Sequence, residues 1–226
     1  MTPDDQIYFS FVKEEREELY LFPREEAPKP SAGKGLAALG EEARGCRKCG
    51  LRAGCRGVVF GEGNESASVM LVGEAPGAVE DEMGRPFVGP AGQLLDRILK
   101  AAGFAREDVY ITNCVKCRPP GNRIPAPQEI SACMPYLEEQ VRIIAPSILV
   151  CLGATSTRAL LGRNLPITEV HGRWFFYRDI PLIPTFHPAA LLRDPSKKKP
   201  VWEDFLKVRE EYYKRCRLRQ GESLIP

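Results

Sequence analysis

The stretch Val69–Gly77, VMLVGEAPG, constrains this chain more than any other. Four consecutive apolar residues, Val69 to Val72, run into Gly73, and Pro76 and Gly77 follow. An unbroken apolar run stopped by Gly and Pro reads as a parallel strand buried on both faces and ending in a sharp turn. In open α/β sheets a ligand sits just beyond the carboxyl ends of such strands. Gly73 and Gly77 let the backbone approach a ligand and aim N–H groups at it. A plain strand-to-loop corner with structural glycines is an equally good reading of these residues alone.

The remaining segments alternate in the same way. Gly89-Pro90 opens a helix whose buried stripe is Leu94, Leu95, Ile98 and Leu99, with Gly103 as its C-terminal cap. Val109–Asn113 is a second strand and Ser147–Leu152 a third; Trp174–Tyr177 and Pro181–Thr185 read as a hairpin-like pair. Helices are predicted from Pro127 to about Ile144, from Ala154 to Gly162 and from Pro200 to Arg217. Strands alternating with helices imply a parallel sheet between helical layers. Residues 1–35 read as an extension and linker, with EEAPKPSAGKG at its end, 36–217 as one α/β domain and 218–226 as a tail. The aromatic segment QIYFSFV in the extension reads best as packing on the chain's own surface.

Composition narrows the class. The formal net charge is +2, so the chain is no polycationic binder. Local clusters are basic: Arg193 with Lys197, Lys198 and Lys199, and Arg118 with Arg123 in a Pro-rich loop. Such clusters contact phosphate, although solvated surface charge is their commoner meaning. No apolar run approaches the length of a membrane span, and the N-terminus is acidic where a signal peptide is basic, so a cytoplasmic protein is expected. Eight cysteines without a secretion signal favour a metal or cluster site over disulfides. By spacing alone, CRKC (Cys46, Cys49) and CVKC (Cys114, Cys117) read as a tetrahedral zinc site.

Three longer motifs come in order: GEAPGAVEDEMGRPFVGPAGQLLDRIL (Gly73–Leu99), ITNCVKCRPPGNR (Ile111–Arg123) and FHPAALLR (Phe186–Arg193). Together they resemble the family 4 uracil-DNA glycosylases, the class that carries an iron–sulfur cluster. The resemblance implies a three-layer α/β/α fold with a central, mostly parallel four-stranded sheet. It also implies an enzyme that flips uracil out of single- or double-stranded DNA and hydrolyses its N-glycosidic bond, leaving an abasic site.

The resemblance further implies roles. The Asn113 amide reads uracil O4 and N3–H, Phe87 stacks on the ring, and Glu80 lines the pocket near C5. Gly73, Glu74 and Ala75 form the first motif's wall, and His187 donates to uracil O2 as the bond breaks. Ala75 stands where family 1 members place an Asp on the attacking water, which leaves Glu74, Glu80 or a backbone carbonyl to hold that water. Leu191 is the expected wedge, with Lys116, Arg118, Arg123 and Arg193 at phosphate. Cys46, Cys49, Cys117 and Cys133 are the implied ligands of a [4Fe–4S] cluster. Alternation along Val109–Val115 agrees, because it turns Cys114 away from the side Asn113 faces. His171 lies outside these motifs and reads as structural. A monomer is expected, and QIYFSFV faintly resembles a peptide that contacts replication or repair proteins. The competing class is a metal-stabilised module that binds nucleic acid or a nucleotide without catalysis. A covalent abasic-site trap is disfavoured, because Gly77–Phe87 contains no His nucleophile.

Overall fold

Val69–Gly73 forms the predicted strand, and every residue in it is buried. The computed structural model describes residues 35–219. The QIYFSFV segment and most of the predicted linker lie outside the described residues.

The strands are β1 (Glu62–Gly63), β2 (Val69–Gly73), β3 (Tyr110–Asn113), β4 (Ile148–Leu152), β5 (Phe175–Tyr177) and β6 (Ile180–Thr185). They form one six-stranded sheet in the order β1-β3-β2-β4-β6-β5. Strands β3, β2, β4 and β6 run parallel, while β1 and β5 pair antiparallel at the two edges. The expected four-stranded sheet is therefore the inner part of a larger mixed one. The stretch VVFGEGN (Val58 to Asn64) reads in the sequence as a strand and a turn, and of it only Glu62–Gly63 pairs in the sheet, as the edge strand β1. The β5–β6 hairpin adds the opposite edge.

The helices are α1 (Leu36–Arg44), α2 (Leu51–Gly54), α3 (Ala78–Met83), α4 (Pro90–Ala101), α5 (Pro127–Ile144), α6 (Ala154–Leu161), α7 (Ile167–Val170), α8 (Pro188–Arg193) and α9 (Lys198–Arg219). Strand alternation sorts them into two layers. Val69, Leu71, Ile111, Val150 and Ile183 pack on Leu95 and Leu99 of α4 and on Val201, Phe205 and Val208 of α9. Met70, Val72, Tyr110, Leu149 and Leu182 face the other way, onto Leu36 of α1, Leu137 and Val141 of α5 and Leu160 of α6. Among the described residues no helix is long and apolar enough to cross a membrane.

Register brings the strand ends into line. Gly73 pairs with Asn113 between β2 and β3, and Leu152 with Thr185 between β4 and β6. From β2 the chain goes first to β3 on one side and later to β4 on the other. The loops after β2 and β4 thus diverge and leave a crevice, the usual binding place in such sheets.

Candidate active site

Asn113 is the last residue of β3 and is 1% exposed. Its Oδ1 is the one buried side-chain polar atom among the described residues with no hydrogen-bond partner. Buried acceptors left unpaired are expensive, so this atom points to a donor that arrives with a ligand. A Cβ added at Gly73 would collide with this Oδ1 and come within 2.5 Å of the Phe87 ring. Gly73 thus leaves the gap in which an amide edge and an aromatic face meet.

Phe87 is buried and holds a positive φ of 51°, unusual for a bulky residue. Its neighbours grip it from both sides. The Glu80 carboxylate accepts from Val88 N at 3.0 Å, Gly89 N at 2.8 Å and Gly77 N at 3.1 Å. Arg106 donates to the Pro86 carbonyl at 2.6 Å and is itself anchored by Glu62 and Asp96. Gly92 is obligatory beside this loop, since a Cβ there would overlap the Phe87 carbonyl. Both Glu80 oxygens are taken by backbone N–H groups, so Glu80 fastens the Gly77–Gly89 loop.

His187 follows β6 and caps α8, with Pro188 at the first helical position. Its Nδ1 accepts the Ala189 N–H at 3.1 Å, which leaves Nε2 as the donor of a neutral ring. Burial, reinforced by the Arg193 charge, pushes its pKa down to about 4. The His187 and Phe87 rings lie 5.5 Å apart, tilted by 32°. Gly153, just after β4, has φ of 98°, and a Cβ there would lie 3.1 Å from that of His187. Behind this loop the buried Asp204 accepts from Thr185 at 2.6 Å and faces His171 Nδ1 at 3.2 Å.

Leu191 is not the exposed loop residue expected of a wedge. It lies in α8, is 1% exposed and packs in the core with Phe186 and Val201. Its neighbour Leu192 is 48% exposed, and Arg193 beside it is exposed as well. Across the crevice, Thr155 on α6 donates a short hydrogen bond to Glu74 Oε2, which joins the β2 and β4 loops. Ala75 packs against the cysteine-containing core and offers no polar atom beyond its backbone.

The cysteines separate as alternation requires. Cys46, Cys49, Cys117 and Cys133 line one cleft together with Lys116 and Tyr136. Cys114 packs instead with Met70, Val72 and Cys151, and burial pushes its thiol up to about 12. This disfavours the paired-CxxC zinc set, since Cys114, one of its four members, is not among the residues that line the cleft. No three His, Cys, Asp or Glu side chains among the described residues converge on a single metal-ion position. Burial raises the Cys117 and Cys133 thiols above their usual range.

Lys116 does not reach the surface. It is 2% exposed and bonds internally, a correction to its expected phosphate contact. Arg123 forms a two-pronged pair with Glu129 at the start of α5, and Arg118 donates to Asn122. Thr155, Arg106, Gly153 and Gln140 went unnoticed in the sequence. Only Gly153 carried a signal: LVCLG repeats the apolar-run-then-glycine pattern of VMLVG.

The sequence profile of the Uracil DNA glycosylase superfamily matches residues 60–206. The Type-4 uracil-DNA glycosylase of Sulfurisphaera tokodaii is 47% identical over 184 residues, covering 77% of this chain and 84% of that protein. That of Thermotoga maritima is 45% identical over 180 residues, covering 77% of this chain and 93% of the relative. A Type-5 uracil-DNA glycosylase of Pyrobaculum aerophilum is 33% identical over 147 residues, covering 57% and 64%. With the profile spanning most of the chain and the Type-4 relatives matched over most of their length, the chain belongs to the uracil-DNA glycosylase superfamily, among the type-4 enzymes.

Proposed function

We infer that this protein removes uracil from DNA by hydrolysing the N-glycosidic bond, with Asn113, Phe87 and His187 as the groups that hold the base. The observation that carries this reading is the unpartnered buried Oδ1 of Asn113 at the strand end. Uracil N3–H is the donor that satisfies it, while the amide Nδ2 donates to O4. Phe87 offers its ring to the base face; base–aromatic stacking contributes about 1–3 kcal/mol. Gly73 keeps the space between them open.

Bond cleavage leaves negative charge on the uracil. The neutral His187 donates from Nε2 to O2, where that charge develops, which is the oxyanion-hole principle. Water attacks C1′ and delivers its hydroxyl to the sugar, the N1–C1′ electron pair leaves with the uracil, and the remaining proton passes to the departing base or to solvent. With Glu80 engaged by backbone amides, Glu74 is the carboxylate assigned to that water, steadied by Thr155. The nearest motif lysine, Lys116, is buried and fully bonded, so no amine nucleophile is assigned and strand cleavage is not expected. Leu192 and Arg193 project beside His187, where a side chain fills the gap left by a flipped base and a cation meets phosphate. Arg118 and Arg123 extend the same role to the Pro-rich loop.

Cys46, Cys49, Cys117 and Cys133 are assigned to a [4Fe–4S] cluster. Their thiolates would hold the cluster's irons, and the four residues line one cleft. When bound, the cluster supplies a cross-link among the α1–α2 loop, the β3–α5 loop and α5. Excision itself requires no electron transfer. Incubation with a uracil-containing oligonucleotide followed by alkaline cleavage tests the activity. Intact strand after that treatment would overturn it.

A further inference from the structure

Lys116 is a charged side chain in the protein interior that meets only neutral acceptors. Its Nζ donates to Thr112 Oγ1 at 2.6 Å, to the Asn113 carbonyl at 2.7 Å and to Gln140 Oε1 at 2.6 Å. Those acceptors are themselves anchored: Thr112 Oγ1 and Gln140 Nε2 both donate to the Phe60 carbonyl, at 2.9 and 2.8 Å. The ammonium has used all three donors and is fixed in place. Buried cations are normally paired with an anion, because neutral dipoles recover only part of the lost hydration. No described carboxylate forms that pair.

The candidate source of negative charge is the cysteine cleft beside the lysine. Lys116 lines the cleft that carries Cys46, Cys49, Cys117 and Cys133, and it directly precedes Cys117 in the chain. Four thiolates outweigh the charge of a four-iron, four-sulfide core, so the assembled group is an anion.

We propose that the Lys116 ammonium is the internal counter-charge of the thiolate-bound cluster and, through the Asn113 carbonyl, couples the cluster's position to the base-reading amide. This rests on the cluster assignment above. Lys116 is a positioning residue: it touches neither uracil nor iron. The geometry gives it two tasks at once. It balances charge in the cleft, and it fixes the last peptide of β3, from which the Asn113 side chain departs.

The test uses anaerobically purified full-length protein in three forms: the parent, Lys116→Met and Gln140→Glu. Lys116→Met deletes the charge at similar volume. Gln140→Glu leaves the lysine in place and supplies a carboxylate to neutralise it, so it serves if Lys116→Met fails to fold. Iron content, the cluster reduction potential from a mediated titration read by electron paramagnetic resonance, and single-turnover uracil excision are measured on each. Removing a nearby positive charge disfavours the more negative, reduced cluster. Both variants should therefore keep their iron and shift to lower potential by about tenfold in the reduction equilibrium, about 59 mV for one electron. Lys116→Met should also need a higher DNA concentration for half-maximal excision. Parent protein without iron would overturn the cluster assignment itself. Parent and variants with full iron and the same potential would overturn the counter-charge role alone.

Discussion

The backbone N–H of Ala189 donates to Nδ1 of His187 at 3.1 Å, and this one bond decides what the histidine can do. It fixes the tautomer with the proton on Nε2 and disfavours the doubly protonated ring. Burial and Arg193 act in the same direction and hold the pKa down to about 4. His187 is therefore neutral at every pH near neutrality, and it works as a donor without being an acid. His187→Ala should lower the single-turnover rate about 100-fold or more, as for loss of one oxyanion donor. The parent rate should show no limb from this group between pH 8 and pH 5. A limb centred at the unperturbed value of about 6.5 would contradict this. The stability effect has a definite sign. The unfolded histidine takes up its proton first, so the contribution is complete above about pH 6.5 and is lost as pH falls toward 4. Thermal melts of the parent and of His187→Ala across that window should converge toward the acid side.

Leu191 and Leu192 separate packing from DNA contact. Leu191 is in the core, so Leu191→Ala should destabilise the fold by about 2–5 kcal/mol in urea unfolding. Leu192→Ala should leave the unfolding midpoint unchanged and slow excision from double-stranded DNA more than from single-stranded DNA, because only the duplex needs a wedge. Equal slowing on both substrates would remove the wedge.

The cysteine assignment predicts about four iron atoms and little zinc in anaerobically purified protein. Cys133→Ala should lose the iron, since Cys133 lines the cleft, and Cys114→Ala should keep it, since Cys114 is not among the residues lining that cleft and packs with Met70, Val72 and Cys151. Metal analysis of both variants checks this. The reverse pattern would restore the paired CxxC ligands.

Much of this arrangement was legible in the sequence, and the exceptions share a cause. The β2 and β3 strands followed from VMLVG and VYITN, and the parity of Asn113 and Cys114 followed from strand alternation. Leu191 was misplaced because α8 has only six residues, too few for a hydrophobic period to register. Its start was nevertheless written in His187-Pro188, a capping residue followed by Pro at the first helical position. Lys116 reads as a surface cation in CVKCRPP, and only the distant Gln140 and Phe60 carbonyl reveal its interior site. Arg106 and Thr155 act on residues far away along the chain, Pro86 and Glu74, and local pattern says nothing about such pairs.

The central claim is that the Asn113 amide reads the base, and changing its hydrogen-bond pattern tests it directly. Uracil presents O4 as an acceptor and N3–H as a donor, and one amide matches both. Cytosine presents N4–H₂ as a donor and N3 as an acceptor. A carboxylate at this position accepts from cytosine N4 and repels uracil O4. Sites built to hydrogen-bond one group reject the mismatched analogue by roughly 10⁴–10⁵-fold. The measurement is single-turnover cleavage of matched oligonucleotides holding one uracil or one unpaired cytosine. Asn113→Asp is predicted to fold normally, keep its iron, lose most uracil excision and gain weak cytosine excision, and Asn113→Ala to lose uracil excision and gain nothing. Uracil excision at the parent rate by both variants would show that Asn113 does not read the base.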